Sequence, residues 1–198
     1  MEECQIATNK EDINDSNNII YRTISRDEIE KFEEIDRSEL IEYDYHYKDG
    51  NLELVKVHFD VKGFSPEHLK KLKKSLYDLD DENGTIYGAF DGSKLVGLSA
   101  LENKFRGEEG DMLNFALLHV SNPYRNKGIG RKLSGLVINK VKELGAKRLY
   151  VSASPTKNTV DFYMGLGFKL AVKVDEELFA LEPKDIHLIM DLDQDITK

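Results

Sequence analysis

Residues 112–153 constrain this chain more than any other stretch. Met112–Val120 is an almost unbroken apolar run, the pattern of a strand buried in the middle of a sheet. Ile129, Leu133, Leu136, Val137, Val141 and Leu144 then trace one helical face, and Gly145 stops the helix. Leu149–Ala153 returns to a strand pattern. A strand, a helix and a second strand in close succession form a crossover, so the two strands are expected side by side and parallel.

The flanking sequence adds antiparallel elements. Ile19–Ile24 reads as a short strand, and Ser25 before Asp27 and Glu28 as a helix N-cap with acids in the first turn. Ile29, Phe32 and Ile35 follow at helical spacing. Asp49–Gly50 divides two alternating runs, Ile41–Tyr47 and Leu52–Val61, a strong hairpin signal. Tyr43, Tyr45 and Tyr47 share one face of the first run, as a wall near a substrate or as ordinary cross-strand packing. Ser65–Pro66 starts a helix with an apolar stripe of Leu69, Leu72, Leu76 and Leu79. Thr85–Phe90 and Lys94–Leu101 form a second hairpin. Asn158–Leu166 is a short helix, and Phe168–Val174 and His187–Leu192 are closing strands. The expected fold is a mixed α/β sheet. Residues 1–18 form a polar tail and 19–195 a single domain, with the hairpin at 41–61 as an insertion.

Composition narrows the function. The chain has 198 residues and a net charge of −9, which disfavours a nucleic-acid binder. Cys4 is the only cysteine, so neither a disulfide framework nor a cysteine-cluster metal site is expected. No metal site is expected, and no apolar run is long enough for a membrane span. The acidic start lacks an apolar signal region, which points to the cytoplasm.

The chemistry concentrates where the apolar strand ends. Arg125–Asn126–Lys127–Gly128–Ile129–Gly130 opens the amphipathic helix. Backbone N–H groups at a helix start lack partners, and the helix dipole favours negative charge there. Gly128 and Gly130 lack a Cβ, so a phosphate can approach the backbone, and Arg125 and Lys127 add charge. Between 125 and 148 eight basic residues face a single acid, Glu143, while the rest of the chain is strongly acidic. A basic island of this size suits a multiply phosphorylated small molecule. A dinucleotide fingerprint fails, because Leu133 stands where a third small residue is needed. No Gly-Lys-Ser/Thr loop, Gly-x-Ser-x-Gly elbow or His-Glu-x-x-His helix occurs.

Arg125-x-x-Gly128-x-Gly130 after a strand resembles the pyrophosphate-binding loop of the GNAT N-acetyltransferase superfamily. A second segment, Asn158–Thr159–Val160–Asp161–Phe162–Tyr163–Met164–Gly165–Leu166–Gly167–Phe168, is similar to the family's Asn-x-x-x-x-Phe-Tyr-x-x-x-Gly-Phe helix, with one residue fewer between Asn158 and Phe162. The resemblance implies a mostly antiparallel twisted sheet flanked by helices and splayed at its central strands. It implies acetyl-CoA as co-substrate, bound by Arg125, Asn126, Lys127, Gly128, Ile129 and Gly130. The main chain of Leu118 and Val120 would pair with the pantetheine arm. Asn158 matches a residue that contacts that arm, although a plain N-cap role is equally open to it. Tyr163 matches the residue that protonates the departing thiolate, and with a phenol near pKa 10 against a thiol near about 8.5 it is able to do so.

The base that takes the proton from the amine is less evident. Glu102, at the end of the strand Lys94–Leu101, is the first candidate, with Asp111, His119 or a water chain as alternatives. The acceptor is expected to be a small-molecule amine or a protein amine, and the acidic remainder of the chain favours a cationic one. A homodimer is compatible with the resemblance. The competing reading is a non-catalytic acyl-CoA-binding regulatory module, for which Tyr163 would serve no purpose. The hairpin at 41–61 lies where many family members carry a substrate-shaping insertion.

Overall fold

The computed structural model describes residues 18–192 and the backbone of 13–14. Most of the expected polar tail, and residues 193–195 of the expected domain, lie outside the described residues. The strands are β1 (Ile13–Asn14), β2 (Ile19–Thr23), β3 (Glu39–Lys48), β4 (Asn51–Val61), β5 (Thr85–Asp91), β6 (Lys94–Leu101), β7 (Met112–Val120), β8 (Arg148–Ala153), β9 (Lys169–Leu170) and β10 (Ile186–Asp191). The α-helices are α1 (Pro66–Asp81), α2 (Ile129–Glu143), α3 (Lys157–Met164) and α4 (Glu176–Leu181). Eight strands form one sheet in the order β1-β2-β5-β6-β7-β8-β10-β9, while β3 and β4 pair only with each other. Only β7 and β8 run parallel, as a strand–helix–strand crossover requires.

Helices cover both faces of the sheet. On one face Ile129, Leu133, Val137 and Val141 of α2 and Val160 and Tyr163 of α3 are buried beside Leu113, Phe115, Leu149 and Val151. On the other, Leu76 and Leu79 of α1 pack with Ile29, Phe32, Leu95 and Leu98. This core explains why the 112–153 segment is so apolar: β7 is sandwiched between the two layers.

Three elements depart from the sequence reading. Arg26–Glu34 is a 3₁₀ helix rather than an α-helix. Its core residues Ile29, Phe32 and Ile35 recur every third position, which matches three residues per turn. The expected strand Phe168–Val174 shrinks to Lys169–Leu170, with Val172 fully exposed. After it comes α4, whose Asp175 N-cap accepts from the Leu178 N–H at 3.0 Å and whose first turn carries Glu176 and Glu177. Third, α3 begins one residue earlier than expected. Thr156, not Asn158, is its N-cap, with Oγ1 accepting from the Thr159 N–H.

The hairpin follows its turn signal, with Asp49 and Gly50 at positive φ, as a two-residue turn between twisted strands demands. A bulge between Ile41 and Tyr43 breaks its register. Its middle is tied to α3 and the loop before it. The Tyr45 N–H donates to Pro155 O at 2.7 Å and the Tyr45 hydroxyl to Asp161 Oδ1 at 2.9 Å. Of the three tyrosines expected on one face, Tyr43 and Tyr47 are exposed and Tyr45 makes these bonds.

Candidate active site

The sheet is forked at its centre. β7 pairs with β8 only through Met112–Arg148, Leu113–Leu149 and Asn114–Tyr150. Past Asn114, β7 continues to Val120 paired with β6 alone, and β8 turns to β10. One bond sets the parity of this free stretch: the Ser121 N–H donates to Val96 O at 2.9 Å, toward β6. Alternate residues direct their backbone groups to opposite sides, so those of Leu118 and Val120 face the fork. On this edge only Val120 O is engaged among the described residues, by Arg125 Nε at 3.1 Å, and an edge so little paired is suited to an extended, amide-containing ligand.

The loop after β7 makes the second part of the site. Asn126 and Gly128 both have left-handed backbone, φ +61° and +84°, on either side of Lys127. Alternation of this sort turns successive N–H groups toward one point and makes an anion-binding concavity. The first bond of α2 runs from the Lys132 N–H to Gly128 O at 3.0 Å. The N–H groups of Ile129, Gly130 and Arg131 therefore precede any helical carbonyl that would accept them. Gly128 is needed for its φ, since nothing lies within 4 Å of an added Cβ. Gly130 is small for a different reason: a Cβ there would stand 3.3 Å from the Phe162 ring of α3. Ile129 contributes only its backbone to the loop, because its side chain is buried in the core.

The charges around this loop suit an anion. α2 has no acid in its first turn, where Asp or Glu would complement the dipole, and carries exposed Arg131 and Lys132 there instead. Lys127 lies 5.3 Å from the Tyr124 ring. Arg125 differs from expectation. Its guanidinium donates from Nε to Val120 O and from Nη1 to Ser38 O, both at 3.1 Å, and stands 3.5 Å from Glu39. It ties the base of the hairpin to the end of β7, so its backbone rather than its charge belongs to the loop. Asn158 is likewise engaged: it is exposed, and its Nδ2 donates to Glu39 Oε1 at 3.1 Å.

Tyr163 sits at the root of the fork. Its ring meets Phe115, the first residue of β7 beyond the last pairing with β8, edge-on at 5.8 Å. Phe162 and Phe168 lie edge-on at 5.4 Å each. The side chain is 5 % exposed, and burial alone raises the phenol well above its ordinary range. No hydrogen bond engages its hydroxyl among the described residues. A buried, protonated and unpartnered phenol is able to donate a proton to whatever enters the fork.

The three candidates for the base fall elsewhere or differ from expectation. Both Glu102 oxygens are committed: Oε2 accepts from Arg106 at 2.8 and 3.1 Å, and Oε1 from Asn114 Nδ2 at 2.9 Å. Arg106, 6 % exposed on its side chain, also meets Asp175 and Glu177. This network clamps the loop between β6 and β7 to α4, at the zipped end of the β7–β8 pair. Asp111 is bound by Arg148 through Nε at 3.0 Å and through Nη2. His119, between the two fork-facing residues of β7, packs edge-on against Phe64 and Phe32 at 5.2 and 5.6 Å. Burial, with the neighbouring Arg37, lowers its pKa to about 3.

Sequence reasoning missed one group near this site. Arg37 follows the 3₁₀ helix in a segment with no periodicity and no motif, so no local signal marks it. Among the described residues no group of three or more His, Cys, Asp or Glu side chains is arranged to hold a metal ion. No described helix is long and apolar enough to cross a membrane.

Comparisons with known proteins agree with this geometry. Residues 44–178 match the family model of the acetyltransferase (GNAT) domain. No curated protein matches the sequence. Among solved structures, a nourseothricin acetyltransferase superposes with a TM-score of 0.66 at 21 % identity, over 88 % of this chain and 98 % of that one. A protein from Bacillus anthracis, described as a streptothricin acetyltransferase and bound to acetyl coenzyme A, gives 0.62 at 15 %, over 86 % and 95 %. PaiA N-acetyltransferase from Thermoplasma acidophilum, in complex with coenzyme A, gives 0.58 at 18 %, over 87 % and 98 %. At these identities the likeness is one of fold.

Proposed function

The chain belongs to the GNAT acetyltransferase family, and on that premise we propose that it moves the acetyl group of acetyl-CoA to a primary amine by direct attack on the thioester. The observation that carries this reading is the unpartnered Tyr163 hydroxyl at the root of the β7–β8 fork. A module that only sensed acyl-CoA would need the anion loop but no proton donor. Acetyl-CoA supplies an acyl group activated as a thioester, and the chain supplies position and protons.

The roles divide among the residues as follows. The N–H groups from Asn126 to Gly130 receive the pyrophosphate, with Lys127, Arg131 and Lys132 as surrounding charge. The fork-facing backbone of Leu118 and Val120 aligns the pantetheine arm. Tyr163 holds the proton that the thiolate takes as it leaves. Glu102 and Asp111 are tied to arginines, which leaves His119 as the side chain beside the fork with a free lone pair. With a pKa of about 3 it stays neutral and only accepts a hydrogen bond from the amine, whose proton goes to water. Arg125 and Asn158 hold the hairpin base through Ser38 and Glu39 and shape the acceptor side.

Calorimetric titration with acetyl-CoA, followed by thiol release over a panel of primary amines, tests the reading. Micromolar binding that Gly128→Val weakens at least tenfold, with turnover of one or more amines, is the expected result. A folded protein that binds no acetyl-CoA would overturn it.

A further inference from the structure

The acceptor side of the fork carries a positive charge that no described residue pairs with. The segment before the hairpin is pinned to the end of β7 on both sides of Arg37. The Asp36 N–H donates to Ser121 Oγ at 2.9 Å, and the Asn122 N–H to Asp36 O at 2.8 Å. The Ser38 N–H donates to Asp36 Oδ1 at 2.8 Å, and Asn122 Nδ2 to Ser38 Oγ at 3.0 Å. Arg37 is therefore held in place by its backbone. Its guanidinium makes no hydrogen bond and no ion pair with any described residue, and its Nη1 is shut off from solvent without a partner.

A buried, unsatisfied donor is costly, and more so when charged. The neighbours worsen the imbalance. Arg125 repels Arg37. Glu39, the one carboxylate that attracts it, is already shared between Arg125 at 3.5 Å and Asn158 at 3.1 Å. His119 and His68 face the same space across the Phe64 ring, at 5.2 and 5.7 Å, and the charge of Arg37 acts on both. Lys71 adds to the positive field at His68, and Glu182 opposes it. The net charge alone favoured a cationic acceptor, but the groups here are two guanidiniums, two imidazoles and aromatic rings, opposed by Glu39, which is already shared, and by Glu182.

We infer that the amine acceptor also carries a carboxylate, and that Arg37 is the residue that binds it. A planar guanidinium offers paired donors that match a carboxylate's two oxygens; Nη1 is closed off, so the pair is Nε and Nη2, which stay open, and the aromatic walls strengthen the contact by excluding water. The placement fits a bifunctional acceptor. Arg37 and His119 lie on the α1 side of β7, whereas α2 and its anion loop lie on the other, so the acceptor's anion does not compete with the phosphates of acetyl-CoA. The inference rests on the acetyltransferase reading above and sharpens it to an amino-acid-like acceptor.

The test compares each of a set of L-amino acids and ω-amino acids with its own carboxamide, and lysine with cadaverine, by thiol release at saturating acetyl-CoA. Expected is at least one carboxylate whose kcat/KM exceeds that of its amide by tenfold or more. Arg37→Gln brings that ratio close to one, and Arg37→Lys retains part of it. Because both arms are measured on the same protein, partial misfolding of a variant leaves the ratio intact. A second readout needs no turnover: with coenzyme A bound, the acid but not the amide should move the His119 imidazole resonances, and Arg37→Gln should remove that movement. Amides or cadaverine used as well as the acids, or a silent panel in both readouts, would overturn the inference. Acetyl-CoA binding by calorimetry separates the two failures. Its loss removes the acetyltransferase reading, whereas intact binding with indifferent acceptors removes only the carboxylate. Preference for phosphoethanolamine over every carboxylate would also overturn it in favour of a phosphorylated amine.

Discussion

Replacing Tyr163 with phenylalanine should separate chemistry from stability, and the structure sets the size of both effects. The ring is held by Phe115, Phe162 and Phe168, and Phe keeps those contacts. The hydroxyl has no partner among the described residues, but it is not closed off from solvent, so its removal forfeits no hydrogen bond within the protein and relieves no buried one. Tyr163→Phe should therefore leave Tm close to wild type, within the 2–4 °C that about 1 kcal/mol is worth in a chain this long. The catalytic loss has a ceiling. A thiolate with a conjugate pKa of about 8.5 gains about 2 kcal/mol from protonation at pH 7, which is about 30-fold in rate. Burial keeps the wild-type phenol protonated throughout this range. The deficit should thus be about 10- to 30-fold in kcat at pH 7 and narrow as the pH approaches 8.5. Thiol release under saturating acetyl-CoA, with a burst measurement to confirm that chemistry is rate-limiting, reads the first effect; calorimetric unfolding reads the second. A kcat within twofold of wild type at pH 7 would refute the proton-donor role. A fall in Tm beyond about 4 °C would mean that the hydroxyl has a structural partner after all.

Other perturbations should separate the loop, the ion pairs and the imidazole. Gly128→Ala forces a Cβ into left-handed backbone at φ +84° with no clash to relieve, so it should cost about 1–2 kcal/mol of stability and weaken acetyl-CoA binding in calorimetry. Glu102→Gln should lower stability by about 2 kcal/mol, since it strips from Arg106 the carboxylate that accepts two of its hydrogen bonds, while kcat falls less than threefold; a hundredfold loss of kcat would restore Glu102 as the base. The folded pKa of His119 is about 3, far below its unfolded value. The unfolded chain therefore binds the extra proton, and stability present above about pH 6.5 is lost as the pH falls toward 3. Chemical denaturation across pH 4–8 should show that acid-side loss reduced in His119→Gln, and an imidazole that titrates near pH 6.5 by NMR would contradict it.

Some of this protein is written locally. The buried strand at 112–120, the α2 stripe ended by Gly145, the Asp49–Gly50 turn and the Ser65–Pro66 cap each follow from short-range chemistry. The structure keeps them with boundaries shifted by a residue or two. The anion loop is legible for the same reason: positive φ at Gly128 and free N–H groups at a helix start are properties of a few consecutive residues. The 3₁₀ form of Arg26–Glu34 and the helix α4 are absent from the sequence reading, although the three-residue spacing of Ile29, Phe32 and Ile35 and the Asp175 cap followed by two acids are local signals for them. What only the tertiary structure decided is the occupancy of side chains. Glu102 and Asp111 are carboxylates near the sheet in any reading, but Arg148 arrives from β8 to take the Asp111 oxygen, and Arg106, only four residues past Glu102, is folded back onto it while α4 holds it from the other side. Arg125 belongs to the loop by sequence, yet its guanidinium is drawn to Ser38 and Glu39, more than eighty residues away along the chain. Arg37 carries no motif at all, and it matters only because folding buries one of its nitrogens and brings it no partner. Backbone conformation depends on neighbours along the chain. The state of a charge depends on neighbours in space, which the chain specifies only once the core has closed around it.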